Sequence, residues 1–393
     1  MSGGDTRYSS KPLSGLCELL NGLAFKPTDW TERGTPIIRI QNLNGATEFN
    51  HYARMVSPEY VIPPGTILFS WSGNRGTSFG PFTWAGPTGI LNQHIFKVTP
   101  KRGVDQRWLY HALSIARATA ERAAHGGSGL VHVRRADLLS YGIPTPTPAE
   151  QRRIAEILDA ADEAIRGSGA VLEKLRGQRA ALLAALVPAE VQSDALRASP
   201  LGDLVEGAEY GISSALADKG AVPVLRMMNL RGGGIDLSDL KYSSSPEAQS
   251  LLLRPGDILF NRTNSLEHVG RTSLWRGEHP RASFASYCVR FVAKADRILP
   301  PYLVHFMNLP AAQIRIKRLA TPAVQQANIN PTQLQERFSV VYPLNRGVQQ
   351  RAVDVLVAAD ARIRTEDAYL AKLKLQKQGL MQDLLTGRVR VAA

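Results

Sequence analysis

Glu150-Gln151-Arg152-Arg153-Ile154-Ala155-Glu156-Ile157-Leu158 opens a stretch that ends at Ala181-Leu182-Leu183-Ala184-Ala185-Leu186-Val187, and the stretch comes back 198 residues later. Leu158, Asp162, Ile165, Leu172, Leu175, Leu182 and Leu186 are answered without a gap by Leu356, Asp360, Ile363, Leu370, Leu373, Leu380 and Leu384. In each copy the apolar positions follow one another in steps of three and four or their sum, as in Ile154, Leu158, Ala161, Ile165, Leu172. That is the seam of a coiled coil, an apolar stripe that needs a partner helix to cover it. The chain supplies two such helices, and the twelve leucines and isoleucines other than Ile154 are the expected pairing positions.

Working outward, the segments before the two helices also match. Pro12-Leu13-Ser14-Gly15-Leu16 is answered by Pro200-Leu201-Gly202-Asp203-Leu204, and Pro36-Ile37-Ile38-Arg39-Ile40-Gln41-Asn42-Leu43 by Pro223-Val224-Leu225-Arg226-Met227-Met228-Asn229-Leu230. Pro64-Gly65-Thr66-Ile67-Leu68-Phe69 returns as Pro255-Gly256-Asp257-Ile258-Leu259-Phe260, a turn leading into a buried strand. A helical pattern spans 105–124 in the first half and 301–319 in the second. Pro144, Pro146 and Pro148 form a stiff connector before the first long helix, Pro188 stops it, and Gly387 is placed as the C-terminal cap of the second. The expectation is an α+β tandem duplication: a mixed α/β domain over 1–147, a helix over 148–187, a second domain over 188–345, and a helix with a short tail over 346–393. The two helices pair as an antiparallel coiled coil.

The chain has 393 residues, 47 lysines and arginines, 34 acidic residues and a net charge of +13. Residues 1–187 hold 21 basic and 15 acidic side chains, and 188–393 hold 26 and 19. Two modules with similar basic surpluses, and no basic tail, suit a polyanionic partner touched by both halves. Cys17 and Cys288 are the only cysteines, far apart in sequence and without metal-ligand spacing, so no disulfide framework or zinc site is implied. The N-terminal residues lack the apolar core of a signal peptide, and no apolar run approaches the ~18–20 residues that cross a bilayer, so a cytoplasmic protein is expected.

No phosphate-binding glycine loop, Gly-x-Ser-x-Gly elbow or His-Glu-x-x-His helix is present. Leu299-Pro300-Pro301-Tyr302 resembles a methyltransferase Pro-Pro-Tyr but has no Asn or Asp before it, and reads as a proline turn opening a helix. The histidines are scattered, and no metal site or catalytic residue is expected. The polar loops suit recognition instead, because Asn and Gln can bond adenine bidentately and Arg can bond guanine. The first half offers Arg39, Gln41, Asn42, Asn44, Trp71, Asn74 and Arg75; the second offers Arg226, Asn229, Arg231, Asn261, Arg262, Asn264, His268 and Arg271. Arg134, Arg135, Arg315, Lys317 and Arg318 read as phosphate contacts, which position without specifying. Arg39 and Arg226 recur in both halves, which also fits a scaffold role.

Taken together, these features resemble the specificity subunit of type I restriction–modification systems. The residues that carry the resemblance are Pro144 to Leu158, Leu384-Leu385-Thr386-Gly387-Arg388-Val389-Arg390-Val391, and the two Pro-Gly-x-Ile-Leu-Phe turns. The second helix departs from the pattern at Leu344-Asn345-Arg346-Gly347-Val348-Gln349-Gln350, where a proline-rich Glu-Gln start is usual. The resemblance implies a non-enzymatic, DNA-binding subunit whose two target-recognition domains each read one half of an asymmetric site. It implies double-stranded DNA and two methyltransferase subunits as partners, and restriction subunits where the system has them. It implies no cofactor in this chain, S-adenosylmethionine being bound by the methyltransferase subunits. Two other readings compete. A stand-alone nuclease or methyltransferase would act on DNA unaided, and a repeat-built protein-interaction scaffold would bind DNA weakly and with little salt dependence.

The helices themselves invite a geometric expectation. At ~1.5 Å per residue, roughly 37 helical residues span ~55 Å, more than one turn of DNA. Gly167-Ser168-Gly169 marks a place for a kink in the first helix. Ser168 and Arg179 in one seam and Glu366 and Lys377 in the other are polar, and antiparallel packing about the middles would set Glu366 against Arg179.

Overall fold

The structure is a computed structural model that describes residues 8–74, 77–123, 130–323 and 326–392. Among these the helices of eight residues or more are α1 (Gln106–Ala123), α2 (Pro148–Leu186), α3 (Pro300–Met307), α4 (Pro310–Lys317) and α5 (Arg346–Thr386). The chain forms two compact units, one made of Met1–Gly169 with Ala368–Ala393 and the other of Ala170–Asp367.

Each unit is built on a four-stranded antiparallel sheet with the same strand order. In the first the order is Cys17–Asn21, Ile95–Pro100, Ile67–Ser70, Gly80–Thr83; in the second it is Val205–Tyr210, Cys288–Ala293, Ile258–Asn261, Thr272–Leu274. The repeated turn explains the central strand. Gly65 and Gly256 have φ of 86° and 100°, a conformation that suits glycine, and they aim the chain into Ile67-Leu68-Phe69 and Ile258-Leu259-Phe260. Alternate residues of a strand face opposite sides, so both faces of this strand are apolar. Ile67 and Phe69 join the core that holds α1, while Leu68 packs with Ile38, Ile62, Trp84 and Leu91 on the other side. In the second unit Ile258 and Phe260 join the core that holds α3, and Leu259 packs with Leu225, Trp275 and Phe284.

Both long helices complete each core. In the first unit Ile154 and Leu158 of α2 and Leu384 and Leu385 of α5 are buried with Trp108, Leu109 and Leu113 of α1. In the second unit the contributors are Leu183 of α2 and Ala352, Val353 and Leu356 of α5. All twelve expected pairing positions are buried or half-buried.

The helix starts are specified locally. Thr147 caps α2 in a capping box: the Thr147 N–H and hydroxyl donate to the Glu150 carboxylate at 3.0 and 2.9 Å. Pro148 occupies the first helical position, where a missing N–H costs nothing. For α5 the cap is Asn345, whose side-chain oxygen accepts from the Gly347 N–H at 2.8 Å. Although the sequence around Leu344 departs from its partner, α5 starts at Arg346, the residue 198 after Pro148. A buried glutamine then performs one task in both units. Gln151 accepts from the Asp105 N–H at 2.8 Å and donates to the Pro146 carbonyl at 3.0 Å; Gln349 accepts from the Leu299 N–H at 2.9 Å and donates to the Pro343 carbonyl at 2.8 Å. Each ties the start of a long helix to the start of the helix packed against it. At the far end Gly387, with φ of 74°, ends α5, and a Cβ there would sit 2.6 Å from the Tyr8 ring.

The helix α2 runs without a break through Gly167-Ser168-Gly169, and one expectation about the pairing of the two helices changes. Arg179 pairs with Asp360 at 2.8 Å, not with Glu366. Glu366 lies six residues further along α5, about 9 Å at the helical rise, so the antiparallel register puts Asp360 opposite Arg179. In the first unit Lys377 pairs with Asp162. The two ion pairs are one design used twice, since 198 added to Asp162 gives Asp360 and added to Arg179 gives Lys377.

A buried histidine faces this seam in each unit, with unlike partners. His111 Nε2 lies 2.8 Å from the Asp159 carboxylate. His305 is buried and its Nε2 has no hydrogen-bond partner among the described residues, and the position 198 after Asp159 is Val357. Burial, with the Arg179 charge nearby, pushes the His305 imidazole down to about 4.

Two measurements check the helix register and the state of His305. In a double-mutant cycle at Arg179 and Asp360 the alanine variants should couple by about 0.5–1 kcal/mol, and Arg179→Asp combined with Asp360→Arg should recover most of the loss of either single change. An imidazole depressed in the folded state takes up its proton more readily once unfolded. Stability of the second unit should therefore fall as pH drops from about 6.5 towards 4. In urea melts across that range, Val357→Asp should flatten the fall by giving His305 the partner that His111 has.

Candidate nucleic-acid interface

The shared register lets the two units be compared residue by residue. Ile95 faces Ser70 and Phe96 faces Asn21 in the first sheet, while Cys288 faces Asn261 and Val289 faces Tyr210 in the second. The residue that follows each central strand is then Trp71 or Arg262. The Trp71 N–H donates to the His94 carbonyl at 3.2 Å and its carbonyl accepts from Val133 at 3.0 Å. The Arg262 N–H donates to the Tyr287 carbonyl at 3.0 Å and its carbonyl accepts from Ile329 at 2.8 Å. His132 and Asn328 are likewise equivalent, facing Ser72 and Thr263.

In the first unit three stretches that are distant in sequence meet. Trp71 lines a cavity of about 510 Å3 with Asn21, Phe96, His132, Arg134 and Arg135. Its indole N–H is shared between the Gln93 carbonyl at 3.0 Å and the Asn21 side-chain oxygen at 3.1 Å. Gln93 and His94 also line a second cavity of about 240 Å3 with Phe25, Trp30, Arg39 and Gln41. The His94 ring lies 5.4 Å from Trp71, so the two cavities share a wall. The result is a surface of aromatic rings, amides and arginines, the mixture that stacks on bases and bonds their edges. Arg39 lies over the Trp30 ring at 5.2 Å and bonds the Asn50 side-chain oxygen at 2.8 Å, and it has no carboxylate partner among the described residues.

These features belong with what the chain is similar to. Residues 7–175 match the family described as Type I restriction modification DNA specificity domain. The EcoKI specificity subunit of Escherichia coli K12 is 24% identical over 96% of this chain and 88% of its own length, and the EcoBI specificity subunit of E. coli is 22% identical over 96% and 85%. The chain is similar to type I specificity subunits over nearly all of its length. The S subunit of the M. genitalium type I system shares its fold, with a TM-score of 0.61 over 98% of each chain at 16% identity. A chain from a structure of the type I restriction–modification system that concerns complex assembly gives 0.60 over 99% of this chain and all of its own, at 14% identity. No helix among the described residues is long and apolar enough to cross a membrane.

Within the two units the sequence-derived candidates fall into kinds. Some hold the frame. Asn42 and Asn229 are buried; each side-chain oxygen accepts from the backbone N–H of Arg39 or Arg226, at 3.0 and 2.7 Å. Each amide nitrogen donates to two loop carbonyls, those of Ala46 and Glu48 or of Asp236 and Asp239. Asn261 is fully buried and donates to the His268 carbonyl at 3.3 Å. Arg315 lies over Phe338 at 4.9 Å and Phe306 at 5.8 Å and bonds the Ser339 carbonyl, and Lys317 donates to the Glu267 carbonyl at 2.9 Å. Others are paired with carboxylates at the surface: Arg226 with Asp239 at 2.8 Å, Arg231 with Asp236 at 3.2 Å, and His268 with Glu267 at 3.6 Å.

Gln41, Asn44, Asn74, Arg134, Arg135 and Arg318 are exposed, and Trp71, Arg262, Asn264 and Arg271 are half-buried. The Asn264 side-chain oxygen accepts from Ser265 at 2.8 Å. Arg75 lies outside the described residues. Sequence reading missed Asn21, Trp30 and Gln93 in the first unit and Tyr210 and Tyr287 in the second. Asn21 and Tyr210 end edge strands, and only the pairing register brings them beside the central strand.

Asn42→Ala and Asn229→Ala should each lower the stability of the unit that holds them by about 1–3 kcal/mol, by leaving buried backbone groups unbonded. Thermal melts of the variants, read beside their DNA affinity at a temperature where they remain folded, check whether the loss is one of stability.

Proposed function

We propose that the chain is the non-catalytic DNA-reading subunit of a type I complex and recognises an asymmetric, two-part site in double-stranded DNA, one part per unit. The observation that carries this reading is that one backbone frame, in one register, is used twice with unlike polar surfaces. Arg39 and Asn42 recur as Arg226 and Asn229 and shape the same loop, whereas Asn21, Trp71 and His132 become Tyr210, Arg262 and Asn328. Two copies of a frame that differ where the side chains are accessible suit two different base sequences. The net charge of +13, shared between both halves, supplies the attraction to phosphates.

In this reading the long helices carry two methyltransferase subunits, which bind S-adenosylmethionine and transfer its methyl group to adenine, with restriction subunits as further partners. This chain selects the site; it holds no part of the methyl transfer.

The test is co-expression with the partner methyltransferase and single-molecule mapping of methylated bases in the host DNA. A two-part, asymmetric motif is expected, and exchange of residues 200–340 for those of a relative should change one part only. A continuous palindrome, or a change in both parts, would sink the reading. Affinity for the specific duplex should fall steeply with added salt, by on the order of a thousandfold between 50 and 200 mM for six or more phosphate contacts.

A further inference from the structure

The duplicated frame also indicates which side chains make the two half-sites differ, an inference that rests on the two-part reading of the DNA site. A side chain that shapes the frame has reason to recur, as Asn42 and Asn229 or Gln151 and Gln349 do. A phosphate contact carries no sequence information and has no reason to change between copies. A side chain that reads a base must change where the base changes. Position 71/262 meets that last condition with its backbone held constant, since the hydrogen bonds to His94 and Val133 on one side are repeated by those to Tyr287 and Ile329 on the other.

We propose that Arg262 is a specificity-determining residue of the second unit and reads a guanine, while Trp71 makes an apolar contact at the same place in the first. The guanidinium of Arg262 lies 5.2 Å over the Tyr210 ring, and Nη1 donates to the Ser286 carbonyl at 3.5 Å. The stack fixes the plane and the carbonyl anchors one end, so the fork is arranged before DNA arrives. Such a fork matches O6 and N7 of guanine, where a lysine offers only a point charge. Arg226 and Arg231 face Asp239 and Asp236; Arg262 has no carboxylate partner among the described residues. Tyr210 and Tyr287, beside it, are 47% and 46% exposed, which puts the group at an accessible surface.

The first unit keeps the anchor and changes the chemistry. The Gln93 carbonyl, equivalent to that of Ser286, accepts the indole N–H of Trp71 at 3.0 Å, and Asn21, equivalent to Tyr210, accepts the same proton at 3.1 Å. With its one donor held inside the protein, Trp71 offers only its ring, stacked with Phe96 at 6.0 Å in the wall of the large cavity. A ring face suits a thymine methyl group or a base face and cannot read guanine by hydrogen bonds.

The experiment uses the full chain assembled with its methyltransferase subunits, and compares the methylation motif of the wild type with those of Arg262→Ala, Arg262→Lys and Trp71→Ala. Both Arg262 variants should relax one guanine position in one half-site, lowering its preference over other bases by on the order of 10- to 100-fold, with the other half-site unchanged. Trp71→Ala should alter only that other half-site. Circular dichroism confirms folding, and Arg262→Lys carries the test if Arg262→Ala does not fold. An unchanged motif in folded Arg262 variants overturns the proposal. So does uniform weakening in Arg262→Ala together with a wild-type motif in Arg262→Lys, the behaviour of a phosphate contact. A wild type without a two-part motif overturns the underlying reading as well, whereas a two-part wild-type motif with insensitive variants overturns this proposal alone.

Discussion

The apolar stripe on each long helix is the constraint on which the rest of the structure depends. A helix with a seam of leucines at every third and fourth position cannot leave that seam in water. Covering it takes an antiparallel neighbour along the length and a domain core at the ends. In the first unit the seam of α2 enters the core through Ile154 and Leu158, and that of α5 through Leu384 and Leu385. In the second unit the roles are exchanged, with the last turn of α2 and the first turns of α5 inside. The ion pairs Asp162–Lys377 and Asp360–Arg179 then set the register, since a slip of one turn would leave half-buried charges without partners.

On that base the four-stranded sheets become a platform. Their central strands are buried on both faces, so neither Ile67-Leu68-Phe69 nor Ile258-Leu259-Phe260 is free to vary, and the chain just beyond them is held by hydrogen bonds from both sides. Variation is confined to what projects from this fixed backbone. A frame of this kind can change what its rim presents by changing side chains there while leaving the sheet, the loop-shaping asparagines and the glutamine clamps alone.

Much of this was legible in the sequence because it rests on period and repetition. The helix seam, the duplication and the Pro-Gly turns are carried by residue type and spacing, which need no knowledge of tertiary contacts. The register of the helices was not. Glu366 and Asp360 are both acidic and lie on the same helix, and only the docking of α5 into its core selects Asp360 for Arg179. The candidate recognition surface was legible only in part, for a chemical reason. An asparagine that closes a loop and one that bonds adenine use the same amide, so Asn42 and Asn229 could not be told from Gln41 until their hydrogen bonds were seen. Asn21 and Tyr210 carry no local signal, because strand register alone brings them next to Trp71 and Arg262.

The place of Leu384 and Leu385 in the first core also sets the order in which the protein can be made. The second unit is a single run of chain and has all its parts once α5 has begun to emerge from the ribosome. The first unit is translated earlier, yet it lacks the end of α5, and the contact of Gly387 with Tyr8, until that helix has been synthesised in full. Its sheet and α1 must wait with an apolar groove open for as long as about 200 further residues take to appear, on the order of 10–40 s at ordinary elongation rates. The unit translated first is thus the later of the two to be finished, and loss of the end of α5 is a lesion of the first unit.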